Sequence, residues 1–135
     1  MLNILLVDDD DTDRELFVDA LGINGENYKI FEAANGEEAI MFLNNSTRLP
    51  DVIFLDLNMP VKDGRQTLKE LKSVNSFKRI PVCIFSTSNA SFDVKNAYDA
   101  GANLFLVKPF EFKKMEEVLL GVLHVFSNYV TLPNA

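Results

Sequence analysis

A second cysteine is missing from this chain of 135 residues, so no intramolecular disulfide can staple it and the fold must rest on core burial. The one thiol, Cys83, lies inside the apolar run 82–85, where it reads as a small hydrophobe and not as a reactive group. A second histidine is missing too, and His124 has nothing at ligand spacing beside it. No apolar run, the one at 52–55 included, approaches the roughly 20 residues of a membrane helix. The first seven residues carry neither a basic flank nor an apolar core of signal-peptide length, so the chain is read as cytoplasmic. Basic residues are in the minority: the net charge is -7 and no Lys/Arg stripe is visible, which argues against a nucleic-acid binder. Linkers, internal repeats and low-complexity tracts are also lacking. What is present, 47% hydrophobic and 24% charged residues, is the composition of one globular domain.

Five short apolar runs, residues 3–7, 28–33, 51–55, 81–85 and 104–107, read as strands. Most lack polar alternation, as expected of parallel strands covered on both faces. Segments with helical spacing follow each of them. Residues 12–21 carry Phe17, Ala20 and Leu21 and stop at Gly22. Residues 35–43 open with Asn35 and Glu38 at capping-box spacing and then present Ala39, Ile40 and Leu43. Residues 65–74 offer Leu68, Leu71 and Lys72, and residues 92–100 group Val94, Ala97 and Tyr98 before Gly101. The last helix, 111–126, stacks Phe112, Met115, Leu119, Val122 and Phe126, with Lys113, Glu117 and His124 outward. Alternation of this kind predicts an α/β fold: right-handed crossovers and a doubly wound parallel sheet, with chemistry gathered at the carboxyl ends of the strands.

Those ends are unusually polar. The first strand runs into Asp8 and Asp9, the third into Asp56, the fourth into Ser86 and Thr87, the fifth into Lys108 and Pro109; only the second ends blandly, in Ala33 and Ala34. Carboxylates converging on one crevice repel, and a hard dication with oxygen ligands relieves that. Magnesium suits the task, since it takes one or two carboxylates and leaves room for phosphate oxygens. Lys108 adds a positive charge and Ser86 a hydroxyl, completing an anion pocket beside a metal in which a carboxylate can attack phosphorus. Asp10 and Asp11 read instead as a helix entry, where acidic groups favour the positive end of the dipole.

The stretches "LLVDDD", "LDLNMPVKDG", "FSTS" and "GANLFLVKPF", in that order, resemble the receiver domains of two-component response regulators, over residues 2–126. The resemblance implies a flavodoxin-like (β/α)5 sheet in the order 2-1-3-4-5, a receiver domain over residues 1–127 and a tail over 128–135 with no output domain. It makes Asp56 the phosphoacceptor, with Asp8, Asp9, Asp56 and the backbone carbonyl of Asn58 holding Mg2+. Lys108 would pair with the phosphoryl group, Ser86 and Phe105 would be the switch residues, and the bond before Pro109 would be cis. Asn58 and Ser88, each two residues past a site residue, lie where the family tunes dephosphorylation. A histidine kinase or phosphotransfer protein is the implied donor, and signal would leave by protein contact. The tail "YVTLP" is similar to the stand-alone receivers that partner bacterial phytochrome-type kinases, which implies a homodimer through the fourth helix, fifth strand and fifth helix.

Rival readings are weaker. An aspartate-nucleophile phosphohydrolase resembles D-x-D-x-T after the third strand, but here the second acid is Asn58 and the threonine is Pro60, so the acid for the leaving group is missing. A pseudo-receiver used only for binding is opposed by the intact site residues. A flavodoxin-like cofactor binder would need a phosphate-cradling loop after the first strand, where four aspartates have the wrong charge. His124, alone on an outward face, is not read as a phosphotransfer residue.

Overall fold

The computed structural model describes residues 1–22 and 27–133. Strands β1 (Leu2–Val7), β2 (Tyr28–Ala33), β3 (Val52–Leu55), β4 (Val82–Ser86) and β5 (Leu104–Val107) alternate with helices α1 (Asp11–Leu21), α2 (Gly36–Asn45), α3 (Gly64–Ser73), α4 (Ser91–Asp99) and α5 (Phe112–Asn128). All ten lie within two residues of the ranges expected from the sequence. The strands form one sheet in the order β2-β1-β3-β4-β5, with every neighbouring pair parallel. Both the flavodoxin-like architecture and its strand order are therefore as expected.

Period-two alternation along the strands divides the core. Leu5, Val7, Ile53, Leu55, Val82 and Ile84 point to one side, where they meet Ala39, Ile40 and Leu43 of α2, Leu68 and Leu71 of α3 and Ala97 of α4. Ile4, Leu6, Val52, Phe54, Cys83 and Phe85 point to the other, against Phe17, Ala20 and Leu21 of α1 and Met115, Leu119, Leu123 and Phe126 of α5. There Phe17, Phe54 and Phe85 pack edge to face, with centroids 5.1 to 6.2 Å apart. Each fully buried aliphatic or aromatic side chain contributes about 1.5–3 kcal/mol, so the two clusters, and not any single polar contact, hold the sheet together.

Helix ends follow local chemistry. Asp10 caps α1 by accepting from the backbone N–H groups of Thr12 and Asp13, and Asp11 pairs with Arg14 in the first turn, as the helix-entry reading anticipates. Asn35 caps α2, but Glu38 reaches back to the N–H of Ala34 and not to that of Asn35. A full capping box, absent from the sequence reading, opens α3 between Asp63 and Gln66. Gly22 (φ 44) and Gly101 (φ 107) turn the chain out of α1 and α4 in backbone conformations that side chains disfavour.

Some side chains expected in the core are elsewhere. Phe112 and Tyr98 are 44% and 45% exposed, and Leu123 takes the fully buried place on α5 expected of Val122, because residues 115, 119, 123 and 126 keep phase with the sheet. Lys72 is held by oxygens: its Nζ donates to the carbonyls of Lys78 and Ile80 and to Asn103 Oδ1. Leu132 of the tail packs onto the α1/α5 side, while Tyr129 stays exposed; residues 134–135 lie outside the described residues. Among the described residues no helix is long and apolar enough to cross a membrane.

Candidate phosphoacceptor and metal site

Register brings the acids together. Val7 pairs with Ala33 on one side and Leu55 on the other, so Asp8 and Asp56 leave adjacent strands side by side; Asp56 N donates to Val7 O and Asp8 N to Ala33 O, each at 3.0 Å. Ligand oxygens of Asp8, Asp9 and Asp56 all lie within 4.8 Å of one another. Asp8 and Asp56 are 3% and 9% exposed, whereas Asp9 opens to solvent. Three carboxylates at this spacing are an oxygen-only donor set for a hard dication, so the residues present fit magnesium.

Lys108 enters from β5 by the same logic. Val107 pairs with Ser86, and Lys108 N donates to Ser86 O at 2.8 Å, which turns the lysine side chain over the ends of β1 and β3. Its Nζ lies 2.6 Å from Asp8 Oδ2, 3.0 Å from Asp13 Oδ2 and 3.4 Å from Asp56 Oδ2. Burial opposes the charge on this ammonium, but the hydrogen bond to Asp8 and the fields of Asp56 and Asp8 outweigh it, and its pKa is raised. Burial also raises the Asp8 carboxyl above its usual range, an effect that Lys108 partly offsets.

Asp13 was not singled out in the sequence. Its signal was a second acid in the first turn of a helix that starts at a strand end, a position that faces the same crevice. Arg14 beside it donates from its guanidinium to the Asp8 carbonyl and to Glu32, fixing the β1–α1 turn. Gly64 closes the "LDLNMPVKDG" stretch, and the glycine there has a steric reason. A Cβ there would sit 2.0 Å from the carbonyl oxygen of Asp56, so only glycine lets α3 begin this close to the acceptor strand.

Ser86 is fully buried, and its Oγ accepts from the N–H of Ser88 at 3.4 Å. Phe105 is half-buried against the α2–α4 side of the core, and its N–H donates to Tyr98 Oη. Asn58 is exposed, and its Oδ1 accepts from Arg65. One expectation is corrected: no described peptide bond is cis, so Lys108–Pro109 is trans. The trans form is favoured by about 0.5–1 kcal/mol before proline, and the contacts of Lys108 on either side are made without departing from it. His124 is exposed, ring to ring with Tyr129, and takes no part in the site.

The sequence profile of the response regulator receiver domain matches residues 4–120. The chain belongs to that family. Among its relatives, the response regulator Rcp1 of Synechocystis sp. is 36% identical over 138 residues, covering 98% of this chain and 93% of Rcp1. The phosphorylated cyanobacterial phytochrome response regulator RcpA superposes with a TM-score of 0.91 at 33% identity, covering 98% of each chain. The Mn(2+)-bound form of Rcp1 superposes with a TM-score of 0.89 at 33% identity, covering 98% of this chain and 99% of that one. Receivers of this family accept a phosphoryl group in two-component signalling, bind Mg2+ at an acidic pocket and partner histidine kinases or phosphotransfer proteins; Asp8, Asp9 and Asp56 form an acidic cluster of that kind here.

Proposed function

We propose that Asp56 is the residue that accepts the phosphoryl group, with Asp8, Asp9, Asp56 and the Asn58 carbonyl holding Mg2+, and Lys108 and Ser86 taking the phosphoryl oxygens. The observation that carries this reading is the convergence of three carboxylates within 4.8 Å under a lysine that touches two of them. In transfer from a phosphohistidine, an Asp56 oxygen forms the new O–P bond while the P–N bond breaks and its electron pair returns to the imidazole. Bound Mg2+ supplies charge neutralisation for the oxygens of the transferring group. Lys108 is held charged and aimed at the same place, and buried Ser86 presents a hydroxyl at the end of β4. A switch follows from these positions: movement of Ser86 toward the phosphoryl group loosens the β4–α4 connection, and Phe105 repacks against the core it already touches.

The likeness to RcpA and Rcp1 supports a phytochrome-type histidine kinase as donor. Exposed Phe92, Tyr98 and Val107, together with Phe112 at the start of α5, give α4, β5 and α5 an apolar surface that suits a homodimer, and sedimentation with and without a phosphoryl mimic tests it. Output by protein contact, not nucleic acid, fits the net charge of -7. A reducing cytoplasm suits a domain whose one cysteine is unpaired and buried.

Incubation with a small phosphodonor and Mg2+, followed by intact mass, decides the acceptor. One phosphoryl group should add to the parent and none to Asp56→Asn or to metal-free protein. Addition that survives Asp56→Asn would overturn the assignment.

A further inference from the structure

Two connections face each other across the site, one carrying Asn58 between β3 and α3 and the other carrying Ser88 between β4 and α4. They are tied by a pair that the phosphoacceptor chemistry does not use. Arg65, at the start of α3, donates from one guanidinium nitrogen to Asn58 Oδ1 at 3.3 Å and from another to Asp93 Oδ1 at 3.0 Å. Asp93, on α4, accepts on its other oxygen from Ser88 Oγ at 2.6 Å. Its side chain is 7% exposed, so both carboxylate oxygens are spent inside the protein. Ser88 Oγ is in turn within 3.5 Å of the N–H of Ala90, and Ser88 N donates to the Ser86 hydroxyl. An unbroken chain, Asn58–Arg65–Asp93–Ser88–Ser86, thus spans the mouth of the site.

We propose that Arg65 and Asp93 are positioning residues that prolong the life of the phosphoryl group on Asp56 by clamping Asn58 and Ser88. The inference deepens the reading above and rests on Asp56 being the acceptor. Loss of the group is attack by water on phosphorus: a new O–P bond forms, the bond to Asp56 breaks with its electron pair returning to the carboxylate, and the water proton leaves with orthophosphate or to solvent. Water is oriented for such attack by side-chain oxygens that accept its protons. The clamp competes with water for the oxygens of both residues, because Asn58 Oδ1 accepts from Arg65 while Ser88 Oγ accepts from the Ala90 N–H and is held toward Asp93 by the bond it donates. Cutting the clamp frees both side-chain oxygens at once and leaves the backbone carbonyl of Asn58 in place. A single guanidinium makes both bonds because its donors are fixed in one planar fork, which a lysine cannot imitate.

The test phosphorylates the whole chain with acetyl phosphate and Mg2+, removes the donor, and follows loss of phosphoryl mass in parent, Arg65→Met, Asp93→Ala, the double variant and Arg65→Lys. Loss should be at least about threefold faster in each single variant, no faster in the double than in the faster single, and intermediate in Arg65→Lys, since both residues act through one coupled path. Mg2+ affinity, read by fluorescence or calorimetry, should stay at the parent value. Arg65 is partly exposed, so Arg65→Met keeps the test decisive if Asp93→Ala fails to fold. Parent-like lifetimes, multiplying effects in the double variant, or a fall in Mg2+ affinity that accounts for the change would each overturn the proposal. A parent that takes up no phosphoryl group would overturn the acceptor reading itself; normal uptake with unchanged variants would overturn only the clamp.

Discussion

Lys108 stands nearer to Asp8 than to Asp56: its Nζ is 2.6 Å from the first carboxylate and 3.4 Å from the second. In this arrangement the lysine serves first as counter-ion for the acid most deeply buried in the site. Lys108→Met keeps the stem and deletes the charge, leaving Asp8 unpaired at 3% exposure. Breaking a buried pair in this way costs about 3–5 kcal/mol, which urea unfolding would read, and added Mg2+ should restore part of it by supplying another cation. Asp13, the third acid on the same lysine, is 33% exposed, so Asp13→Asn should cost about 1 kcal/mol or less. Equal losses for the two variants would show that burial does not rank these partners.

Gly64→Ala is a local test of how α3 meets the acceptor strand. The added methyl would lie 2.0 Å from Asp56 O and 2.7 Å from Leu57 Cα, both backbone atoms that cannot step aside alone. Overpacking of this kind costs about 1–3 kcal/mol, and the displaced backbone carries Asp56 with it. A lower melting temperature together with weaker Mg2+ binding is expected; lower stability with unchanged Mg2+ binding would show that the strand end does not move.

Cys83 lies on the sheet between α1 and α5 with no exposed surface, and burial pushes its thiol up to about 12. A raised folded-state pKa means that the neutral thiol is the form folding favours, so stability from this group is present below the unfolded value and lost as pH rises toward about 12. In the pH range where free cysteine forms thiolate, the native protein should not react with an alkylating reagent, and unfolded protein should react once per chain. Labelling of the folded protein at mildly alkaline pH would contradict this.

Much of the site was legible because a parallel sheet converts strand ends into neighbours. Asp8, Asp56, Ser86 and Lys108 each follow an apolar run, and strand order alone then makes them converge. Asp13 was harder to read, since its direction depends on where α1 starts, whereas Asp10 was legible as the helix entry that the bonds it accepts make it. The Arg65–Asp93 bridge joins residues 28 apart through a fork whose reach no local pattern encodes. Phe112 and Val122 had the right spacing for the core, but the final phase of α5 is chosen by the sheet it packs on.

Val61 runs against local preference altogether. Its φ of 68 is the one positive value on a described non-glycine residue, and the N–H of Lys62 donates to Pro60 O at 2.8 Å across it, which makes residues 60–62 a γ-turn of the strained hand. A β-branched side chain is a poor fit there, at a cost of order 1–3 kcal/mol. The turn serves to aim Lys62, whose carbonyl accepts from Gly36 N and whose Nζ pairs with Glu37 and Glu70, so it ties the β3–α3 connection to α2. Val61 is 80% exposed and contributes little packing. Val61→Gly should therefore raise stability by about 1 kcal/mol, the relief of strain exceeding the entropy that a glycine adds to the unfolded chain. Val61→Ala, which keeps a Cβ, should not. If Val61→Gly instead lowers stability by about the 1 kcal/mol usual for an unstrained site, the turn holds no strain and Lys62 alone positions the loop.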